Sequence, residues 1–159
     1  MPADSIQIEV AERATDDIRR LIAGLDAELT PHYEPEQGHA LSLDALFAPD
    51  VRFFVAHLDG QAMGCGGVGL YDGYAEVKRM FAAEAARGRG VASAVLRQLE
   101  ETARAAGYSV LRLETGIHQH AAIAFYKREG FTECEAFGPY REMTPHAIAT
   151  SLFFEKALV

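Results

Sequence analysis

With 159 residues, about half of them apolar, the chain is long enough for one domain with a substantial core, over residues 1–159, and too apolar to be disordered. Its formal net charge of −8 argues against general binding to nucleic acid or to an anionic membrane. No apolar run approaches the ~18 residues of a membrane span, and the acidic N-terminus lacks an apolar signal region, so we expect a cytoplasmic protein.

The chain begins with a predicted strand and a long helix. Residues 6–12 alternate apolar and polar side chains, as a half-buried strand does. Thr15 is a suitable N-cap for a helix over residues 16–29, where Ile and Leu recur at helical spacing. Pro31 then ends this helix.

A hairpin is predicted after a polar loop and a short helix. The loop covers residues 31–40, which are rich in Pro and Gly, and the short helix covers residues 42–48. The hairpin joins residues 51–58 to residues 61–71 through the turn Asp59-Gly60. Four glycines in its second strand indicate a bulge or close packing.

The middle of the chain alternates strands with a helix. A strand is predicted at about residues 74–82, and a helix over residues 91–106 carries apolar side chains on one stripe. Gly107 stands where it would end that helix. Residues 109–116 alternate again and predict the next strand.

The last third contains one more helix and two more strands. Residues 120–130 predict a short helix that Gly130 ends. A strand begins within residues 131–137, residues 138–147 form a loop, and residues 150–158 form the final strand. This order of elements predicts a mixed α/β sheet in a single layer system.

Residues 86–96, with the sequence ARGRGVASAVL, place two arginines and two glycines directly before a helix. The first N–H groups of a helix lack internal partners, and glycines let an anion approach the backbone closely. Arg87 and Arg89 would add charge-assisted hydrogen bonds to phosphate oxygens. Residues 78–128 hold nine Lys/Arg against four Asp/Glu in an otherwise acidic chain, which favours a small anionic ligand.

Other interpretations of this segment compete with phosphate binding. Alone, it is equally typical of a polar turn with solvated arginines at the start of a helix. A nucleoside-triphosphate loop lacks its Gly-Lys-Ser/Thr ending here. In a dinucleotide fold Gly88 and Gly90 fit the first two glycines, but Ser93 occupies the third position.

Three separated motifs resemble those of one enzyme family. Residues 87–92 resemble the Arg/Gln-x-x-Gly-x-Gly/Ala signature of the GNAT family of N-acetyltransferases, which binds the pyrophosphate of acetyl-coenzyme A (acetyl-CoA). The segment EVKRMFA is similar to the strand before that signature. AAIAFYKREGF is similar to the family's Asn-x-x-Ala-x-x-x-Tyr-x-x-x-Gly-Phe segment. Glu84 stands where the family usually has proline, and Gln119 replaces the expected asparagine.

The resemblance extends over essentially the whole chain, and YAEVKRM, LRLETG and EAFGPY resemble a branch of small bacterial enzymes with proposed acetyltransferase activity. It implies the acyl-CoA N-acyltransferase fold, with helices on both faces of the sheet, and acetyl-CoA as co-substrate. The positions that match the family's coenzyme-binding residues are Met80, Phe81, Ala82, Arg87, Gly88, Arg89, Gly90, Val91, Ala92, Gln119 and Tyr126.

The same resemblance implies catalytic roles. Tyr126 matches the tyrosine acid that serves the sulfur of coenzyme A, and a phenol is protonated at neutral pH. An amine acceptor arrives protonated, so a base is needed; Glu76 is the first choice and Glu114 the second. For either carboxylate a salt bridge is an equally good role, with Lys78, Arg79 or Arg112 as the partner.

The histidines and cysteines predict no metal site. His118 and His120 titrate in a useful range and adjoin the expected coenzyme site, but as a pair they lack further ligands at suitable spacing. Cys65 and Cys134 are far apart in sequence and typical of two reduced thiols in a cytoplasmic protein.

The expected function is transfer of an acetyl group from acetyl-CoA to a primary amine, of a small molecule, by direct attack in a ternary complex. The acceptor pocket would be formed by residues 33–39 and 138–141. Arg79 and Arg141 could hold a carboxylate of the acceptor, whereas the acidic first half of the chain could attract a cationic amine. The alternatives are a non-catalytic acyl-CoA sensor and an enzyme that acetylates a protein N-terminus or lysine. Dimers are frequent in the family that the chain resembles, so a homodimer is one expectation, and the oligomeric state stays open.

Overall fold

The computed structural model describes residues 5–158; residues 1–4, which begin the N-terminal segment considered above for an export signal, and Val159 lie outside the described residues. One mixed sheet contains the strands β1 (Ile6–Ala11), β2 (Val51–Leu58), β3 (Gln61–Leu70), β4 (Ala75–Ala82), β5 (Val110–Gly116), β6 (Thr132–Cys134) and β7 (Ser151–Ala157). The helices are α1 (Asp16–Leu29), α2 (Val91–Ala105), α3 (His120–Arg128) and α4 (Pro145–Ile148). Within residues 5–158 no helix has the length and apolar character of a membrane span.

The strand order is β1-β2-β3-β4-β5-β7-β6. Only the central pair, β4 and β5, runs parallel; the other pairs are antiparallel. The predicted α/β class and the predicted order of the main elements are confirmed.

The helices cover both faces of the sheet, as the resemblance implies. On β2, Phe53 and Val55 point into a core cluster with α1, and Phe54 and Ala56 point into the cluster that contains α2 and α3. A strand buried on both faces has few polar side chains, which explains the nearly continuous apolar run VRFFVAHL.

The predicted helix ends are present. Thr15 has extended backbone angles, and its hydroxyl accepts a hydrogen bond from the N–H of Ile18 at 3.3 Å. After α2, Gly107 adopts a left-handed conformation with φ of 91°.

Three local predictions need correction. The helix predicted over residues 42–48 is a 3-10 turn at Asp44–Phe47. The loop predicted over residues 138–147 contains a 3-10 turn at Gly138–Glu142 and the start of α4, whose N-terminus is capped by the hydroxyl of Thr144. The strand predicted within residues 131–137 pairs only over β6, because the chain then turns to bury Phe137 among aromatic side chains.

The feature that positions the site is a wedge between β4 and β5. These strands pair only at Ala75–Leu111 and Glu76–Arg112, and over the rest of their described length they diverge. On its other side β4 carries a bulge, where two residues oppose Gly66 of β3 and Arg79 has a φ of 49°. A bulge and close packing, the two explanations offered for the β3 glycines, are both present at Gly66. It lies opposite the bulge, and a Cβ on it would come within 2.7 Å of Val95 in α2.

Both cysteines are free. Cys65 is buried behind the bulge, where burial raises the pKa of its thiol to about 12, and Cys134 is half-buried on β6. A thiol with such a raised pKa is unreactive at neutral pH.

Candidate functional site

A cavity of about 410 Å³ fills the wedge between β4 and β5. Its walls are β4, β5, the C-terminal half of α1, the first turns of α3 and the segment that follows α1. Most of the segment 33–39, which the sequence predicts for the acceptor pocket, lines this cavity, and so does Tyr140 of the predicted segment 138–141.

The N-terminus of α2 has no cap. Its N-cap residue, Gly90, has a φ of 87° and contributes no side chain, and Gly88 has a φ of 81°. Within residues 5–158, no hydrogen bond to the backbone N–H groups of Gly88 and residues 90–93 is found. A Cβ on Gly88 would meet nothing within 4 Å, so there is open space in front of these donors. Unpaired N–H groups and a helix dipole at an open surface fit a bound phosphate group.

The two arginines beside this N-terminus face opposite ways. Arg87 pairs with Glu28 of α1 and donates to the carbonyl of Ala82 at 3.4 Å. Arg89 lies 3.3 Å from Asp59 in the β2–β3 turn. All four charged side chains are roughly half exposed, so these ion pairs are weak and a phosphate could compete for the guanidinium groups.

The end of β4 runs from the cavity toward this N-terminus. Met80 lines the cavity, and Phe81 packs its ring against Gly24 of α1. Beyond Glu76 the β5-facing side of β4 has no strand partner in the described chain. An extended ligand could therefore add its own amides to that exposed backbone edge.

Tyr126 of α3 is buried beside the rings of Phe125 and Phe131, and it lines the cavity. In the described part of the chain its hydroxyl has no hydrogen-bond partner. Burial raises the pKa of this phenol, and the negative charge of Glu114 raises it further. Tyr126 is therefore a protonated hydrogen-bond donor without an acceptor among the described residues.

Gln119 uses only half of its side-chain amide. Its Oε1 accepts from the N–H of Gly116 at 2.8 Å and from the hydroxyl of Thr115 at 3.4 Å. Because a backbone N–H must meet an oxygen, this contact fixes the amide orientation. The Nε2 donor is left without a partner among residues 5–158 and belongs to a residue that lines the cavity.

Glu76 lies on β4 with 2% of its surface exposed. Its Oε2 accepts a hydrogen bond from the Tyr140 hydroxyl at 2.7 Å and lies 2.9 Å from the Lys78 ammonium. The salt bridge with Lys78 that the sequence offered as an alternative role is present. These contacts occupy Oε2 of Glu76 with two protein donors.

Glu114 lies on β5 across the cavity. Its Oε2 accepts a hydrogen bond from the Ser151 hydroxyl at 2.6 Å. Burial raises the pKa of this carboxyl, and the charge of Glu76 adds to the increase, against opposing effects of Ser151, His39 and Lys78. A carboxylate with a raised pKa is a stronger base than an exposed one.

Four other candidate residues lie elsewhere or are engaged. His118 and His120 are exposed and do not line the cavity; the N–H of His118 donates to the Tyr33 hydroxyl at 3.1 Å. Arg141 is exposed and also lies outside the cavity. Arg79 lines it, but its guanidinium is held by Asp26 and by the carbonyl of Leu41.

Two partners of the site residues could not be identified from the sequence. Ser151 reaches Glu114 from β7, and Asp26 reaches Arg79 from α1. Each pair is separated by more than 35 residues in sequence, so no local pattern could have identified it.

Comparisons with known proteins give consistent results. The model of the acetyltransferase (GNAT) family matches residues 18–131. A protein of Azospirillum brasilense named an IAA acetyltransferase is 43% identical over 145 residues, which cover 90% of this chain and 92% of that protein. An uncharacterised N-acetyltransferase of Escherichia coli is 34% identical over 138 residues, with 85% and 86% covered.

A solved structure agrees with both. The crystal structure of a proposed acyl-CoA N-acyltransferase from Klebsiella pneumoniae superposes with a TM-score of 0.80 at 35% identity. The alignment covers 97% of this chain and 98% of that one.

Proposed function

Because the chain belongs to the acetyltransferase (GNAT) family, we propose that it transfers an acetyl group from acetyl-CoA to the primary amine of a small molecule, by direct attack in a ternary complex. One observation carries the proposal. The cavity between β4 and β5 holds a buried carboxylate with a raised pKa and a phenol without a partner in residues 5–158, and β4 leads from this cavity to the uncapped N-terminus of α2.

The coenzyme site is proposed along β4 and the start of α2. The N–H groups of Gly88 and residues 90–93, which have no partner within residues 5–158, would bind the pyrophosphate, with Arg87 and Arg89 exchanging their exposed carboxylate partners for it. Backbone groups of residues 80–82 would hold the pantetheine arm and direct an N–H at the thioester oxygen. The Nε2 of Gln119 would add one more donor. When bound, acetyl-CoA supplies the activated acetyl group.

We assign Tyr126 as the acid. Tyr126 lines the cavity, its hydroxyl has no acceptor in the described chain, and its raised pKa keeps the proton on oxygen throughout the neutral range. When the carbon–sulfur bond of the thioester breaks, this proton passes to the departing thiolate.

For the base, the geometry favours Glu114 over Glu76, the first choice from sequence. One oxygen of Glu76 already accepts from both Tyr140 and Lys78, so protein donors occupy it. Glu114 has a neutral hydroxyl partner and a raised pKa. The ammonium of the acceptor would give a proton to Glu114, and the neutral nitrogen would then form the new bond to the acetyl carbon. The second proton that this nitrogen loses would replace the one that Tyr126 gives to the thiolate, and Glu114 would release its proton to water.

A small acceptor is favoured by the shape of the site. Most of residues 33–41 line the cavity, and hydrogen bonds hold Tyr33, His39 and Leu41 in place. A cavity of about 410 Å³ with such a wall suits a compact acceptor. The cytoplasmic location and the homodimer stay predictions.

Thermal melting with and without acetyl-CoA tests the coenzyme site. At ~100 times its dissociation constant the ligand should add about 2.7 kcal/mol, which raises the melting temperature by about 5–10 °C in a chain of this size. Thiol release with a panel of amines then tests transfer. No thermal shift at saturating acetyl-CoA would refute the proposal, and a shift without thiol release for any amine would favour the sensor.

A further inference from the structure

We propose that the acceptor is a cationic primary amine with an apolar or aromatic body and no carboxylate, and that Asp26 enforces this choice by neutralising Arg79. The inference rests on the proposed acetyl transfer and names the class of molecule that receives the acetyl group. It decides between the two acceptor chemistries that the sequence left open.

Arg79 and Lys78, the Arg and Lys side chains that line the cavity in the described chain, both have carboxylate partners. The Nη1 of Arg79 lies 2.5 Å from Oδ1 of Asp26, and its Nε donates to the carbonyl of Leu41 at 2.9 Å. Only 9% of the Arg79 side chain is exposed, so it is held in this arrangement. The Lys78 ammonium is 2.9 Å from Glu76 and shares that carboxylate with Tyr140.

Within residues 5–158, two carboxylates that line the cavity have no Lys or Arg partner: Glu34, which pairs with the imidazole of His146, and Glu114. Glu114 is bonded to the neutral hydroxyl of Ser151. His39 also faces Glu114, but the Nε2 of this imidazole is engaged by the carbonyl of Ala147 at 2.7 Å. An ammonium group entering the cavity would supply the missing positive charge, whereas an acceptor carboxylate would meet charge of its own sign.

The walls around this carboxylate suit an apolar or aromatic body. Leu25 and Leu29 of α1 and Leu41 form one side. The Tyr33 ring lies directly against Gly116, where any Cβ would collide with it, and so presents a flat aromatic surface. A cavity of about 410 Å³ must also take the acetyl end of the coenzyme, which leaves room for a compact acceptor.

Matched pairs of compounds that differ by one carboxylate provide the test. Phenethylamine is compared with phenylalanine, and tyramine with tyrosine, by thiol release from acetyl-CoA. We expect kcat/KM to be about 100-fold higher for the amine of each pair, because a like charge in a confined site is strongly rejected. Equal or better use of the amino acids would overturn the inference, and so would acetylation of neither amine by a protein that binds acetyl-CoA.

Asp26→Asn tests the assigned residue. Without the aspartate charge Arg79 gains an unbalanced positive charge at the cavity, and the preference for the amine over the amino acid should fall about tenfold. Asp17→Asn is the matched control, because Asp17 lies on the same helix, is equally exposed at 51% and pairs with Arg20 away from this cavity. An unchanged preference in Asp26→Asn would overturn the role of Asp26.

The outcomes separate the inference from the function on which it rests. A protein whose melting temperature does not respond to acetyl-CoA would refute the proposed function itself. A protein that shows the thermal shift and acetylates phenylalanine would retain the proposed function and lose only the acceptor class.

Discussion

Glu114 and Tyr126 line the same cavity, and the charge of the carboxylate adds to burial in raising the pKa of the phenol. Burial raises the pKa of Glu114 as well. The two raised pKa values suit different roles: acceptance of a proton by Glu114 and donation of a proton by Tyr126. A raised pKa makes Glu114 a better proton acceptor, and it keeps Tyr126 protonated at neutral pH, so that the hydroxyl can donate to the sulfur as negative charge develops there.

Replacement of Tyr126 by Phe should lower kcat by about 100-fold or more, the usual contribution of a positioned general acid. The affinity for acetyl-CoA should change little, because the hydroxyl acts at the sulfur only as the bond breaks. Steady-state thiol release gives kcat, and calorimetry gives the dissociation constant.

Tyr108→Phe is the control for that substitution. The Tyr108 hydroxyl donates to the carbonyl of Tyr71 at 2.7 Å and does not line the cavity, so its loss should reduce stability and leave kcat unchanged. If Tyr126→Phe weakened coenzyme binding as much as it slowed turnover, Tyr126 would be structural.

Glu114→Gln and Glu76→Gln should have different effects. A base acts above its own pKa, so kcat/KM of the wild type should fall as the pH is lowered through the raised pKa of Glu114. Glu114→Gln should remove this acidic limb and lower kcat/KM by about 100-fold. Glu76→Gln should retain the limb but move it to lower pH, because the charge of Glu76 no longer raises the pKa of Glu114. Its main effect should be a loss of stability of about 1.5–3 kcal/mol, because Lys78 and Tyr140 lose a charged acceptor. The reverse pattern would make Glu76 the base.

Stability provides the control for Glu114→Gln. A folded-state pKa raised above the unfolded value gives stability that is fully present below the unfolded pKa and is lost as pH rises through the folded pKa. At pH 8 the wild type has lost the stability contributed by protonated Glu114, because the buried carboxylate is then charged. A glutamine at this position stays neutral at every pH and still accepts the hydrogen bond from Ser151. Glu114→Gln should therefore melt at a higher temperature than wild type at pH 8, with the difference narrowing toward pH 5. A variant less stable at pH 8 would indicate loss of fold rather than of a base.

Most of the fold could be predicted because its signals are local. The apolar run of β2, the turn Asp59-Gly60 and the cap at Thr15 each depend on neighbouring residues, and the structure confirms all three. Residues 42–48 misled the prediction because a short run with helical spacing does not distinguish an α-helix from a 3-10 turn.

The site was only partly predictable, because its chemistry depends on contacts between distant segments. The position of Glu76 on β4 followed from local pattern, but its bond to Tyr140 spans 64 residues. That contact and the salt bridge with Lys78 make Glu76 a less suitable base than Glu114. The hydrogen bond from Ser151 to Glu114 likewise spans 37 residues. Charge pairing across a fold follows from packing, which no periodicity in the chain encodes.

Gly88→Ala should weaken acetyl-CoA binding by about tenfold. A side chain at a φ of 81° is strained, by about 1–2 kcal/mol, and it would shift or obstruct the N–H groups at the start of α2. Gly107→Ala is a matched control at the other end of the same helix, with a φ of 91° and the same open surroundings. Both variants should lose similar stability in thermal melts, but only Gly88→Ala should raise the dissociation constant of acetyl-CoA. An equal effect of both on binding would exclude a coenzyme role for Gly88.

His146 of α4 should make acceptor binding depend on pH through the segment 34–39. Its Nε2 lies 2.6 Å from Glu34 and 3.1 Å from Glu36, and these carboxylates raise the pKa of the imidazole. Around it, Gln37 donates to the carbonyl of His146, and His39 contacts that of Ala147. The ion pairs exist below the raised pKa of His146 and are lost as pH rises through it.

The KM of the acceptor should therefore increase about two- to fivefold above that pKa, the range expected for exposed ion pairs, while the dissociation constant of acetyl-CoA stays constant. In His146→Gln the KM should already be high at low pH and should lack this step. His32→Gln, which replaces an exposed histidine with ring contacts but no carboxylate partner in the described chain, should retain it. If KM had the same pH profile in wild type and His146→Gln, the charge on His146 would have no effect on how the acceptor binds. That result would show that α4 does not hold this wall of the cavity in place.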